Sequence, residues 1–237
     1  MKDMPQNVLF VTGTDTCVGK TFFCARFLDF LKKREMRAGY QKWIATGTEG
    51  GMPADLSCCL EAAGIATDPG LIAEQVPYSF SFPASPHLAA EMENRIVVAE
   101  IILQRYRKLA ARYELLIVEG VGGVMVPLRR DLLLADLLAR VRPKTLIVAR
   151  SGLGTLNHTL LTIEALRRRD IPVLGVVFSE PEKSEDERLV QDNMRTVAEI
   201  GMVRVFGRLR HQQDAAEAMV SFLPIGQDIL EQLQGQS

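Results

Sequence analysis

Gly13-Thr14-Asp15-Thr16-Cys17-Val18-Gly19-Lys20-Thr21 follows the apolar run Val8-Leu9-Phe10-Val11 and precedes an amphipathic segment. The order is strand, glycine-flanked loop, helix. Glycine lets backbone N–H groups turn toward an anion, and a helix starting near Gly19 points its positive dipole end at the same spot. Lys20 adds a point charge that reaches outer phosphates, and the Thr21 hydroxyl is placed to ligate a magnesium ion bridging them. The pattern departs from G-x-x-x-x-G-K-[ST] in register, because Thr14 occupies the first glycine position and Gly13 comes one residue early. The stretch reads as a phosphate-binding loop.

The remaining composition suits small-molecule chemistry. The chain has 237 residues, 47% of them hydrophobic, with a formal net charge of -1. That is enough material for one sizeable core, so residues 1–237 are read as one α/β domain. A near-neutral balance gives no general attraction to nucleic acid or to an anionic membrane. No apolar run approaches the roughly 18 residues of a membrane span, and Met1-Lys2-Asp3-Met4-Pro5 lacks a secretory pattern. These features predict a cytoplasmic protein. Cys17, Cys24, Cys58 and Cys59 show no C-x-x-C spacing, so they read as small buried side chains in a reducing compartment. Cys17 stands apart, since its place in the phosphate loop can lower its pKa.

Downstream, Phe23, Phe27, Phe30 and Leu31 recur at helical spacing and predict a helix packed by one face on a sheet. Ala38–Ala45 reads as a second strand, ending in the turn Thr46-Gly47-Thr48-Glu49-Gly50-Gly51. Ligands of open parallel sheets bind beyond the strand carboxyl ends, which makes Lys42 a candidate active-site cation. Asp55 opens a helix through Ala63, where its carboxylate can cap the N-terminus or ligate a cation. Ser85-Pro86 starts another helix, and a longer one covers about Val97 to Tyr113. Leu115-Leu116-Ile117-Val118-Glu119-Gly120-Val121-Gly122-Gly123 reads as a buried-type strand ending in an acidic residue and then a glycine-rich turn, where a P-loop protein places a second magnesium-directed carboxylate.

Lys144–Ala149, Pro172–Phe178 and Val203–Gly207 are further strands. The segment Arg150–His158 repeats the glycine turn into a helix, a setting that suits a substrate carboxylate, while His158 reads as a packed or capping residue. Strands alternating with helices predict a P-loop NTPase-like, mostly parallel sheet with helices on both faces. The charged runs Arg167-Arg168-Arg169 and Glu180–Glu187 read as a solvated helix end and loop.

Taken together these segments resemble the dethiobiotin synthetases, ligases of the P-loop α/β group. The loop from Gly13 to Thr21 is similar to that family's phosphate loop. Lys42-x-x-x-Thr46-Gly47 resembles its K-P-[VI]-x-[ST]-G, Ser85-Pro86-His87 its S-P-H turn, Val118-Glu119-Gly120-x-Gly122-Gly123 its V-E-G-x-G-G, and Gly152–Thr159 its substrate-tail segment. The resemblance implies an ATP-dependent reaction in which 7,8-diaminopelargonate takes up CO2 and closes a ureido ring, with Mg2+ and a homodimeric assembly.

It implies Lys42, Lys20 and Thr16 as catalytic groups. Thr21, Asp55 and Glu119 would surround magnesium. Asp15, Cys17, Val18, Gly19, Phe22, Gly120, Val121, Gly122 and Ser179 would join them around the nucleotide, and Thr46, Gly154, Thr155 and Asn157 would join Thr16 and Lys42 around the substrate. Replacing Lys42 by alanine is expected to silence turnover and leave the fold intact.

Four positions depart from the family pattern: Cys17 for a frequent glutamate, Trp43 for proline, Ser179-Glu180 for Asn-Asp, and Gly207-Arg208-Leu209-Arg210 without its proline. A paralogous amidoligase with another substrate shares the same motifs. A partitioning-type ATPase switch would carry a lysine five residues before the loop lysine, where this chain has Asp15.

Overall fold

The computed structural model describes residues 7–48, 51–180, 186–210 and 215–235. The N-terminal Met1–Pro5 segment, Glu49-Gly50 in the expected turn, and most of the charged run after Glu180 lie outside the described residues.

The phosphate-loop segment builds the centre. Strand β1 (Val8–Gly13) is unexposed on both faces, as expected of a continuous apolar run in a parallel sheet. Its alternation divides the core. Val8 and Phe10 face one hydrophobic cluster, while Leu9 and Val11 face another. Helix α1 (Lys20–Lys32) follows, then strand β2 (Ala38–Lys42). Beyond it come the short strand β3 (Ile44–Thr46), helix α2 (Ala54–Ala62), the turn α3 (Ile72–Gln75), strand β4 (Tyr78–Phe80) and helices α4 (Pro86–Met92) and α5 (Ala99–Arg112). Strand β5 (Leu115–Gly123) carries the acidic residue. It leads through a hairpin of β6 (Pro127–Arg129) and β7 (Leu132–Leu133) to helix α6 (Leu134–Val141). The second half alternates regularly: β8 (Lys144–Arg150), α7 (Thr155–Arg167), β9 (Val173–Ser179), α8 (Glu187–Gly201), β10 (Val205–Leu209) and α9 (Ala215–Gln234).

Six strands form one wholly parallel sheet in the order β10-β9-β8-β1-β5-β2. Helices α1, α2 and α9 cover the Leu9–Val11 face, and α5, α6 and α7 cover the other. The P-loop-like, doubly covered sheet is therefore as expected. Because β1 sits between β8 and β5, the strand order reverses there, and a crevice opens beyond the carboxyl ends of β1, β5 and β2. Among the described residues no helix is long and apolar enough to cross a membrane.

One expected strand is divided. The reading of 38–45 as a single strand fails at Trp43, after which Ile44–Thr46 pairs with β4 in a separate two-stranded sheet. The reason is the indole. It is fully buried against Phe10, with ring centroids 4.9 Å apart, and meets Tyr106 edge-on at 6.1 Å. Its Nε1 donates to the Gln41 side chain at 3.2 Å, and its backbone N–H reaches the Glu119 carbonyl at 3.2 Å. Trp43→Ala empties this junction and should cost about 3–5 kcal/mol, measured by chemical denaturation.

Candidate active site

The loop adopts the geometry its glycine predicts. Gly19, the N-terminal cap of α1, lies in the left-handed region (φ 96°) and provides no side-chain cap, so the first-turn N–H groups keep their donor capacity for an anion. A Cβ at Gly19 would fall 2.4 Å from Ser179 Oγ, so Ser179 backs the loop directly. Cys17 also has a positive φ of 57°, a conformation that a side chain adopts at a cost. Lys20 folds back and donates to the Asp15 carbonyl at 2.8 Å. Burial, then the neighbouring Lys42 charge, hold its ammonium below the usual lysine value.

Next to the loop, β2 and β5 pair in a register that sets Lys42 beside Glu119. Lys42 Nζ lies 2.6 Å from Glu119 Oε1 and 3.0 Å from Asp55 Oδ2. Burial alone would lower the Lys42 pKa, but the two carboxylates outweigh it and raise it above the ordinary lysine range. Burial likewise works to raise the Asp55 carboxyl, and the adjacent Lys42 overrides it, leaving Asp55 below the usual aspartate value.

Asp55 does not cap α2; that helix begins after Pro53 without a side-chain cap. Its Oδ1 instead meets Thr21 Oγ1 at 2.9 Å, and Thr21 Oγ1 is also 2.9 Å from Glu119 Oε1. A hydroxyl has one proton and can donate to one oxygen at a time. Three hard oxygens therefore converge where lone pairs face each other, an arrangement that fits a divalent cation. Among the described residues no group of three His, Cys, Asp or Glu side chains is arranged to hold a metal ion by itself. Further ligands would have to come from phosphate and water, which is how magnesium is usually held.

A cavity of about 640 Å³ opens over this cluster. Of the residues singled out in the sequence, Thr16, Cys17, Gly19, Lys20, Thr21, Phe22, Lys42, Thr46, Asp55, Glu119, Val121, Gly122 and Ser179 line it. Val18 is buried, and Gly120 faces Phe10 and Leu134 in the core. Asp15 lines a second, shallower cavity together with His158, and Thr16 borders both. His158 is thus exposed on that wall and not packed as read from sequence. Gly154, Thr155 and Asn157, at the start of α7, border neither cavity within one chain; Thr155 is buried beside Thr159.

Sequence reasoning missed Ile44 and Tyr40 here, and named Glu180 and Arg210 only as departures from the family pattern. Ile44, Glu180 and Arg210 also line the main cavity. Glu180 faces the buried Arg208 guanidinium at 3.2 Å, and Arg208 also reaches Glu187, so the two departures at the ends of β9 and β10 meet. Tyr40 lies behind Glu119, and its presence two residues before Lys42, hence on the same strand face, was the available signal. Cys24 and Cys59 are buried, as expected, Cys17, set apart in the sequence, is exposed, and Cys58 is exposed against expectation.

The comparisons with known proteins point the same way. An AAA domain family matches residues 7–218. The ATP-dependent dethiobiotin synthetase of Methanococcus vannielii is 33% identical over 210 residues, covering 87% of this chain and 95% of its own. That of Anaeromyxobacter sp. is 38% identical, covering 88% and 92%. The chain belongs to the dethiobiotin synthetase family. Membership makes it an ATP-dependent ligase.

Among solved structures, a ParA family ATPase from Chlorobium tepidum has a TM-score of 0.55 at 12% identity, covering 96% of this chain and 95% of its own. The apo McdA structure from Cyanthece reaches 0.59 at 13%, covering 96% and 99%. These two establish the fold alone.

The four thiols report the site without any turnover. A polar maleimide should label Cys17 and Cys58 and spare Cys24 and Cys59, and ATP should protect Cys17 only. Mass spectrometry of labelled peptides checks this; equal protection of Cys58, or none of Cys17, contradicts the placement of the nucleotide.

Proposed function

We propose that this protein carboxylates 7,8-diaminopelargonate with CO2 and closes the ureido ring at the expense of ATP, releasing dethiobiotin, ADP and phosphate. The observation that carries the reading is the buried Lys42, bonded to Glu119 and Asp55 in a cavity that also holds the phosphate loop. A phosphate loop alone serves many chemistries. A second lysine on an adjacent strand, fixed beside the magnesium-directed carboxylates, supplies charge where a carbamate would meet the γ-phosphate.

In this reading one substrate amine adds to CO2 to give a carbamate and a proton. A carbamate oxygen attacks the γ-phosphorus as the bond to ADP breaks. The second amine then attacks the carbamate carbon, phosphate leaves, and the ring closes. Lys20 and Lys42 stabilise the negative charge that builds on the carbamate and the transferring phosphoryl group. Thr16, bordering both cavities, and Thr46 position the amines or the carbamate. Thr21, Asp55 and Glu119 are the residues that would hold magnesium, which supplies charge neutralisation to the phosphate oxygens.

The glycine-capped start of α7 suits the substrate's carboxylate tail. Since Gly154, Thr155 and Asn157 border neither cavity in one chain, their role fits a homodimer in which α7 meets the partner's site.

The test is diamine-dependent phosphate release and dethiobiotin formation by the purified protein with ATP, magnesium and bicarbonate. No release above the diamine-free rate would overturn the reading. Lys42→Ala should reduce turnover by about 10²–10³-fold, by analogy with loss of one fixed charge-stabilising donor. The expectation that this variant leaves stability untouched is revised by the burial of Glu119. Removing its cation leaves an uncompensated charge, so the variant should also lose about 3–5 kcal/mol, read by denaturation in the same preparation.

A further inference from the structure

Behind the magnesium-directed carboxylate lies a buried group that the reaction does not use. Tyr40 and Lys42 stand on the same face of β2, and both reach across to Glu119 on β5. Glu119 is fully buried and divides its two oxygens between them. Oε1 takes Lys42 at 2.6 Å and Thr21 at 2.9 Å, on the cavity side. Oε2 takes the Tyr40 hydroxyl at 2.8 Å, on the core side. Tyr40 is itself fully buried, with the Cys24 and Cys59 thiols as its neighbours beneath α1 and α2.

We infer that Tyr40 is a positioning residue for binding of the metal–nucleotide complex: its hydroxyl anchors Glu119 Oε2 so that Oε1 stays aimed at Thr21 and Lys42. This rests on the reading that Thr21, Asp55 and Glu119 hold magnesium. The terminal torsion of a glutamate is broad and has no steep well of its own. An isolated carboxylate beside a lysine would turn to give that lysine both oxygens. A donor on the opposite oxygen prevents the turn, since rotation would break a bond to a buried charge, and such bonds are strong. Metal-ligating carboxylates are generally held in this way, and losing the holder weakens metal binding by about 10–100-fold. The neighbouring Cys24 thiol is a weak donor and does not replace the phenol.

Tyr40→Phe removes the hydroxyl and keeps the ring. The experiment measures Mn2+ binding by electron paramagnetic resonance, with full-length protein saturated by a non-hydrolysable ATP analogue, and separately the affinity for the analogue without metal. Tyr40→Phe should weaken Mn2+ binding at least about tenfold and leave metal-free nucleotide affinity within about twofold, because the phosphate loop is untouched. Unchanged Mn2+ affinity, or equal loss of both affinities as a merely structural role would give, overturns the inference while the metal reading stands. A wild-type protein that binds no Mn2+ with the analogue overturns both.

Should Tyr40→Phe fail to fold, the pair Glu119→Gln and Tyr40→Phe/Glu119→Gln decides, since the buried charge that the Tyr40 hydroxyl satisfies is gone from both and Lys42 keeps Asp55 as its counter-ion. If Tyr40 acts through Glu119, the two bind Mn2+ equally. A further loss in the double variant shows that it acts elsewhere.

Discussion

A fully buried carboxylate depends on the cation beside it, and this site is arranged around that dependence. Glu119 sits midway along β5, which runs on through Gly120–Gly123 where a turn was expected, and burial there without a partner would be prohibitive. Parallel pairing of β2 with β5 delivers Lys42 to it at 2.6 Å, and α1 delivers Thr21. Asp55 closes the group from α2. Each partner comes from a different element, so the geometry of the cluster reports the correct assembly of the sheet edge, the phosphate-loop helix and α2. Lys42 bonds both carboxylates, and the buried Lys20 ammonium lies near enough to act on both as well.

The same neighbourhood explains why function and fold are hard to separate here. Lys42 bears on both, since it neutralises Glu119 in the folded chain and faces the cavity in which phosphoryl transfer would occur. Trp43, the next residue, turns into the core and ends the strand, which fixes the direction in which Lys42 leaves the sheet. Elsewhere on the cavity wall Ser179 stands against Gly19 and Glu180 pairs with Arg208, so the two segments that depart from the family pattern meet there.

Much of the sheet could be read in advance because its strands are continuous apolar runs punctuated by glycine, a signal that needs no tertiary information. The loop, Lys42 and Glu119 were legible for the same reason: strand ends in a parallel sheet converge. For Asp55 the spacing left capping and ligation open and only the family resemblance favoured ligation; the position of Thr21 separates the two. Tyr40 hid in plain alternation with Lys42, its role set by which oxygen of Glu119 it meets. Glu180 and Arg210 stood out only as departures from the family pattern, because their place in the cavity depends on how β9 and β10 end. The break at Trp43 was missed because local propensity favours a strand there, and the core on one side of the sheet overrides it. The left-handed backbone at Cys17 was not legible, because that conformation is ordinarily left to glycine.

The most direct test of the central claim is a crystal structure with magnesium, a non-hydrolysable ATP analogue and 7,8-diaminopelargonate. The account predicts the metal among Thr21, Asp55 and Glu119, the γ-phosphate at the start of α1 within reach of Lys20 and Lys42, and an amine of the diamine facing that phosphate beside Thr16. A nucleotide bound with its phosphates away from Lys42, or a diamine that cannot approach the γ-phosphate from either protomer, would contradict it.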